Sequence, residues 1–412
     1  MKQLKFKCEL LTDVILSQKS ASEGSSLTLD FIPGSNFLGI VAGKLYDDEA
    51  ISDADKLKLF HTKDVRYGDA HPANGNNRAL RMPAALYFPK GEAEEGRTHY
   101  VHHLIKDPSS EELRNIQLKQ ERSGFADFIP NEDGNAVRFK VNTEYAIKSA
   151  YDRGLRRSLD KQMYGYQSMG KGMIYCFTVE IEDSMIGFET KIKDALEGTH
   201  RVGHSRSAQY GLVKIMSDDF NEPQSDKGIV KAGEQLVIYA DSRLIFLDDD
   251  HQPTFQPTPM QLTGNEKDEI LWDKSQLRIF QYAPYNYKRR CFDTDRCGIE
   301  KGSVIVVKVK KDTDINQLKT HLGYYLNEGF GKVIYNPDFL KADDNGILSY
   351  KILPKKEEKL VKPADPQTLL TQYLSKRADA AKEDARIYKA VNEWVNDKDR
   401  LRAYTRKFTK NG

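Results

Sequence analysis

Apolar and polar residues alternate at the start of the chain. Leu4, Phe6, Cys8 and Leu10 fall on one side of an extended backbone, so residues 2–16 predict a strand. A polar turn follows over 17–26. Phe31-Ile32-Pro33-Gly34-Ser35-Asn36-Phe37-Leu38-Gly39 then reads as an extended approach, a Pro-Gly turn and a helix. Ser35 or Asn36 is its expected cap, and it runs on through Ile40, Val41 and Leu45. Over residues 47–170 this regularity is lost. Turn and polar residues dominate there, with strand signals at 84–88 and 136–141, and the stretch predicts a long insertion packed over the first unit. Periodic patterning returns as a strand over 173–181, a helix over 187–196, a Gly/Ser/Arg loop over 200–207 and a closing strand over 210–216.

The second half repeats the theme. Residues 235–239 and 243–247 predict a strand pair joined by Ala240-Asp241-Ser242, and Val304, Ile305, Val306 and Val307 mark a β-branched strand over 302–308. A helix over 314–326, a glycine loop over 327–331 and a strand over 332–335 complete the cycle. Strand, helix, glycine loop and strand, twice over, fit a ferredoxin-like unit each time. The expected fold class is α+β: two ferredoxin-like (RRM-like) units with glycine-rich loops, a long insertion in the first, and a helical C-terminal tail. The expected boundaries are 1–220 for the first unit, with the insertion at about 47–170, 230–345 for the second, 346–366 for a Lys/Glu/Pro linker and 367–412 for a charged helical tail.

Composition narrows the function classes. The 412 residues are 39% hydrophobic and 30% charged, and 63 Lys and Arg nearly balance 61 Asp and Glu. A net charge of +2 names no partner, so any nucleic-acid surface must come from local clustering. Charged residues interrupt residues 1–10, and no uncharged apolar run approaches the roughly 20 residues of a membrane helix. The expectation is a soluble cytoplasmic protein with no membrane partner. Cys8 and Cys176 sit in apolar strand-like runs, and Cys291 and Cys297 lack a second pair at zinc-ligand spacing, so reduced thiols and no metal or cofactor are expected.

The chemistry concentrates in arginines, glycines and aromatic rings. In the loop 198–215, Gly198, Gly203 and Gly211 permit close backbone approach to a phosphate or a positive φ, and exposed N–H groups there form an anion nest. Arg201 and Arg206 add forked donors for phosphate oxygens, while His204 and Tyr210 suit contacts to a ribose or a base, and Ser205 joins them as an RNA-binding candidate. The alternative is a tight helix-to-strand turn with arginines facing water. The second loop, Glu328-Gly329-Phe330-Gly331-Lys332, has an acidic neighbour and is expected to be a structural turn. Three further stretches interleave cations with rings: Arg66 and Tyr67 leading to Arg78 and Arg81; Arg153, Arg156, Arg157 and Lys161 before Tyr164 and Tyr166; and Tyr282, Tyr285 and Tyr287 before Lys288, Arg289 and Arg290. That mixture suits single-stranded RNA, whose backbone cations hold and whose bases rings stack on. The histidines show no diagnostic catalytic spacing. There is no Walker loop, zinc-protease helix or nucleophile elbow, and His204 and His200 are left as the candidate bases if an endoribonuclease is present.

The segment Phe31-Ile32-Pro33-Gly34-Ser35-Asn36-Phe37-Leu38-Gly39 resembles the I-P-G-S-x-x-x-G helix start of the RAMP superfamily, the repeat-associated proteins of CRISPR systems. Gly203-His204-Ser205-Arg206-Ser207-Ala208-Gln209-Tyr210-Gly211 is similar to its glycine-rich loop, and Val65-Arg66-Tyr67-Gly68-Asp69-Ala70 resembles a segment of type III members. Residues 299–304 and 329–337 resemble a second repeat. The combination is most similar to the type III-D RAMP subunit grouped with subunits that cap the five-prime handle of the guide RNA. The resemblance implies a guide-RNA (crRNA) binding subunit that contacts backbone RAMP subunits, the large signalling subunit and target RNA. It places Gly34, Ser35 and Asn36 with the loop residues at the RNA. The alternatives are a backbone subunit that cuts target RNA, a guide-processing endoribonuclease and a protein-only scaffold.

Overall fold

In the computed structural model the alternating start of the chain forms the strand Lys2–Leu10, central in a seven-stranded sheet. The structure describes residues 1–17, 25–94, 96–105, 116–152, 154, 156–206, 209–286, 289–355 and 369–397. Lys2–Leu10 lies between Ile174–Ile181 and Leu212–Ser217, antiparallel to both. Val65–Tyr67 and His71–Asn74 both pair with Ile174–Ile181, forming one strand interrupted at 68–70. Numbered along the chain, the four principal strands therefore lie in the order 4-1-3-2, with Gly198–Arg201 added at the edge. The helices Gly34–Leu45 and Glu189–Leu196 bury Phe37, Val41, Ile192 and Leu196 in the sheet's core. Phe37 stacks on Phe177 at 3.7 Å between ring centroids, and Phe177 stacks on its cross-strand neighbour Phe6 at 5.2 Å.

A second antiparallel sheet repeats this plan. Gln235–Ala240 lies between Val304–Lys308 and Val333–Tyr335, and Glu269–Ile270 joins the outer side of Val304–Lys308, again in the order 4-1-3-2. The fold is thus α+β with two ferredoxin-like units. The second is nearly stripped of helix. Only Pro259–Thr263, held by a Thr258–Gln261 capping box, connects its first two strands. The helix expected over 314–326 is absent. Its place is taken by the turns Ile315–Gln317 and Leu326–Glu328, because Leu322 and Val333 spend their N–H groups on Gly331 and Thr320 in a bridge across His321 and Lys332. Residues 235–239 and 243–247 do not pair with each other either. Phe246–Leu247 pairs with Pro253–Thr254, while the N–H groups of Asp241 and Ser242 turn to the Lys332 carbonyl.

The insertion divides between the two units, where its sequence suggested the first alone: Ile51, Leu59, Phe60, Phe125 and Met169 join the first unit's core. Its opening, 65–74, belongs to the first sheet. From Leu80 onward, Met82, Leu86, Val101, Ala126, Phe128 and Ala136 cover the second unit's sheet through Tyr239, Val304 and Val306. The opposite face of that sheet buries Leu236, Ile238, Ile305 and Val307. A strand covered on both faces has no solvent side, which explains the unbroken apolar run Val304-Ile305-Val306-Val307. The strand Ile352–Pro354 pairs with Ala136–Phe139, so the compact body extends to Lys355 and the linker expected from residue 346 begins later. The remainder is a separate unit whose described part is the 28-residue helix Leu369–Asn396. Residues 356–368 and 398–412 of the expected linker and tail lie outside the described residues.

Each unit carries a long β-hairpin between its second and third sheet strands. The first pairs Thr143–Asp152 with Arg157–Met169, and the second pairs Ile279–Tyr282 with Arg296–Ile299 and continues through Tyr285–Asn286 and Cys291–Phe292. The core predicts its own weak point. Phe37→Ala removes a fully buried ring stacked on Phe177, and chemical denaturation is expected to show a loss of about 3–5 kcal/mol.

Candidate nucleic-acid interface

Close approach of backbone segments explains the first glycine loop. The Val202 N–H donates to Gly211 O at 2.8 Å, Gly211 N–H to Asp13 O at 2.8 Å, and His204 N–H to Ile15 O at 2.8 Å. A Cβ on Gly203, at φ +79°, would stand 2.2 Å from Ile15 O, and one on Gly211, at φ +83°, 2.2 Å from Val202 O. These glycines therefore serve the loop's own packing. Three of its N–H groups, those of Val202, His204 and Gly211, are already spent inside the fold, a correction to their reading as part of an anion nest. Arg201 is exposed and braces the turn through Nη1 to Arg206 O at 2.5 Å, and Ser205 sits at φ +52°. Arg206 is half-buried at the same turn, and Ser207 and Ala208 lie outside the described residues.

The first hairpin packs beside this loop. Tyr166 Oη lies 3.4 Å from His204 Nε2, and the two rings are 5.6 Å apart. Lys148 Nζ donates to Gln209 Oε1 at 2.9 Å and sits 4.6 Å from the centre of the Tyr210 ring. Tyr210 itself is buried, so it supports the loop from within and does not offer a face to a base, which corrects its expected role. Tyr145, Ile147 and Tyr151 are each more than half exposed; Tyr145 and Ile147 share one side of the hairpin by their two-residue spacing, and an irregularity between Ser149 and Tyr151 interrupts that alternation. The Tyr145 ring lies across Gly165, where a Cβ would come within 2.0 Å of its hydroxyl. Arg156 and Arg157 are exposed at the hairpin's end, Arg156 at φ +51°. Arg153 and the side chains of Lys161 and Tyr164 lie outside the described residues. The residues that sequence reasoning missed here are Tyr145, Ile147, Lys148 and Tyr151. Alternation over 143–151 was the available signal.

Histidine chemistry divides at this loop. His200 donates Nε2–H to Leu196 O at 2.7 Å, and burial followed by Lys44 holds its pKa below the ordinary imidazole value. A nitrogen carrying that proton is no general base. His204 remains exposed.

Other expected contacts lie elsewhere. Arg289 and Arg290 are exposed at the far end of the second hairpin, with Arg289 paired to Asp293, while Tyr287, Lys288 and the side chain of Tyr285 fall outside the described residues. Ser35 and Asn36 are half-buried in the first turn of Gly34–Leu45, and Asn36 Nδ2 reaches only Pro33 O at 3.3 Å; Pro33 occupies the cap position without a side-chain hydrogen bond. Gly34 is buried, its N–H donating to Asp69 Oδ1 at 2.9 Å, and a Cβ there would stand 1.8 Å from Tyr67 O. Arg66 is tied to Glu180 and Glu182, and Arg81 to Asp30. Arg78 is buried with both Asp241 carboxylate oxygens at 3.0 Å. These three arginines are committed inside the fold, a correction to their reading as RNA contacts.

Arg78 belongs to a charged seam that joins the two units. Lys332 Nζ donates to Glu222 at 3.0 Å, and Glu222 also lies 3.6 Å from Arg78. Burial disfavours the Glu222 carboxylate, yet Lys332 and Arg78 outweigh it and hold its pKa at about 2. Lys301 Nζ reaches Asp69 Oδ2 at 2.7 Å and His71 Nε2 at 3.1 Å. His71 Nδ1 donates to Ala79 O, leaving Nε2 to accept from Lys301, and burial with the Arg78 and Lys301 charges keeps the ring neutral. The second glycine loop ends at this seam: a Cβ on Gly329, at φ +99°, would meet Asp69 Oδ1 at 2.6 Å. It is a structural turn.

No protein-family model matches the chain, and no curated protein does. Solved structures with a partial likeness include a chain of the Type III-B Cmr-beta bound to cognate target RNA, with 12% identity and a TM-score of 0.43 over 73% of this chain and 86% of that one. A chain of the same assembly with AMPPnP gives 12% and 0.42 over the same shares. Oligomeric Cmr4 from Pyrococcus furiosus gives 11% and 0.25 over 52% of this chain and 98% of that one. Among the described residues no helix is long and apolar enough to cross a membrane.

Two outcomes test the seam. Arg78→Met leaves Asp241 buried without its bidentate partner and is expected to cost about 3–5 kcal/mol in chemical denaturation. His321, buried beside Glu180, has its pKa lowered by burial to about 4. The unfolded imidazole takes up its proton near 6.5, so from pH 6.5 down toward 4 the unfolded chain binds more protons and stability falls, by at most about 1.4 kcal/mol per pH unit for this ring. The denaturation midpoint is expected to drop across that interval, and His321→Gln to make the drop shallower.

Proposed function

We propose that the chain binds single-stranded RNA along the surface formed by the first glycine loop and the first hairpin. The observation that carries this reading is their contiguity. Tyr166 meets His204 and Lys148 meets Gln209, so the loop that carries exposed Arg201 and half-buried Arg206 adjoins the hairpin that carries the exposed rings of Tyr145 and Tyr151. Cations beside stacking faces are what an unpaired strand needs, the former for phosphate and the latter for bases.

The occupant is guide RNA, and the chain is a RAMP-superfamily subunit of a type III CRISPR effector complex. Support comes from the motif at 31–39, which begins the helix Gly34–Leu45, and from the glycine-rich stretch 203–211, which precedes the strand Leu212–Ser217. The finer assignment is a non-catalytic cap on the five-prime repeat handle, present once per guide and contacting backbone subunits and the large signalling subunit. The location is the cytoplasm.

Sequencing of RNA that copurifies with the chain tests the class. Repeat-derived guides are expected, whereas bulk cellular RNA or none would end the proposal. Regularly spaced target cuts with divalent metal would favour a backbone subunit, and cleavage of repeat RNA without metal would favour a processing enzyme acting through His204. Arg201→Ala combined with Arg206→Ala is expected to weaken binding by at least about tenfold. The same pair is expected to flatten the plot of log affinity against log salt by about 1.4, since two phosphate contacts release fewer counterions. An unchanged slope in a filter-binding titration would remove these arginines from the interface.

A further inference from the structure

We infer that Tyr325, with Tyr324 beside it, forms a platform for one unpaired RNA base on the second unit, away from the surface proposed above. The inference rests on the RNA-binding reading and adds a subsite to it. Tyr325 adopts φ +60° and ψ +35°, in the left-handed region, where a bulky aromatic residue is a genuine outlier. Glycine or asparagine fills such positions without the steric conflict. The backbone leaves no freedom to escape it. On one side Gly323, at φ +83°, packs so closely that a Cβ would stand 2.2 Å from Ile245 O, and Tyr324 N–H donates to that carbonyl at 2.9 Å. On the other side Glu328 N–H donates to Tyr325 O at 3.0 Å, and Asn327 Nδ2 donates to Phe60 O at 2.8 Å.

The side chain must therefore account for a tyrosine here. Its ring packs against the Arg296 guanidinium, 4.0 Å from the ring centre, and that guanidinium is itself gripped by both oxygens of Glu328. Phe330 closes one edge at 6.3 Å between centroids. Yet Tyr325 is still 40% exposed and Tyr324 45%. A rigid ring in a conformation unfavourable for its residue type, backed by a fixed cation and open to solvent, is built to receive something flat. A nucleobase meets that description, and stacking tolerates any base because each has a π-face.

The test uses the full chain and a single-stranded oligouridine of about 12 nucleotides carrying 4-thiouridine. Tyr325→Gly keeps the left-handed backbone and is expected to melt no lower than the parent. It should lower affinity roughly 5- to 100-fold while leaving the salt slope unchanged, because stacking releases no counterions. Photocrosslinks are expected on the peptide that holds Tyr324 and Tyr325. Should Tyr325→Gly fail to fold, Tyr324→Ser together with the crosslink map decides the matter. If Tyr325→Gly binds as the parent does while Arg201→Ala with Arg206→Ala does not, the platform is wrong and the RNA reading stands. If the parent chain binds no RNA, both fall. A slope that flattens in Tyr325→Gly would mean a lost phosphate contact and would also overturn the platform.

Discussion

Everything about the arrangement of the two units depends on the ionic seam between them. Arg78, Asp69 and His71 come from the first unit's second strand and its continuation, Asp241, Lys301 and Lys332 from the second unit, and Glu222 from the connection. Taking so many charges out of water is expensive, and the attraction between them offsets that cost only when every partner is in place. A small rotation of one unit would separate Lys301 from Asp69 and strand both. Greasy surfaces slide at little cost, whereas this seam has one good register. The break in the strand at 68–70 serves it directly, because it lets Asp69 turn from the sheet to accept Gly34 N–H and Lys301 together.

That register separates two loops that look alike in sequence. Both interrupt the chain before a closing strand, and both contain closely spaced glycines. At Gly329 the second is pressed against Asp69 and the start of the Gly34–Leu45 helix, which leaves its backbone there no room for a ligand. The first is held by Asp13 and Ile15 from behind, which leaves Arg201 and His204 exposed and Arg206 half-buried. The glycines are needed for packing in both cases, and what differs is only what the seam covers.

Several sheet strands were legible from periodicity, since Lys2–Leu10, Ile174–Ile181 and Val304–Lys308 carry their burial in their own residues, whereas the second strand of each unit, 65–74 and Glu269–Ile270, was not. The helix expected over 314–326 was not, because the partner that turns its backbone outward, Gly331 to Val333, follows it as a separate segment. Arg78 shows why the candidate site was read only in part. Among local neighbours it looks like one member of an exposed basic run, yet its acid, Asp241, is 163 residues away. Charge pairing across the fold leaves no local trace, so a cluster of arginines in sequence is an upper bound on the cations that reach a surface. Tyr210 failed for the mirror reason: a ring beside a glycine loop is as useful beneath it as on it. Arg201, His204, Arg156 and Arg157 stay outside, having no long-range acid to draw them in among the described contacts.

The hairpins then pose an energetic question. A two-stranded ribbon is marginal in water by itself, and exposed apolar side chains such as Tyr145, Ile147 and Tyr151 add nothing to folding where they stand. Their stability must be lent by the body. The first hairpin borrows it at the glycine loop, through Tyr166 against His204 and Lys148 over Tyr210, and at Val14, whose N–H and O bridge Met169. The second borrows it from the aromatic cluster of Phe280, Tyr282 and Phe330, clamped by Arg243 and Arg296. Both grow from the same point in the repeated topology, between the second and third strands, and each is rooted in a cation–ring contact beside a glycine loop. On the reading proposed above, surfaces kept apolar and cationic beside a loop are what an unpaired strand requires, cations for its backbone and rings for its bases.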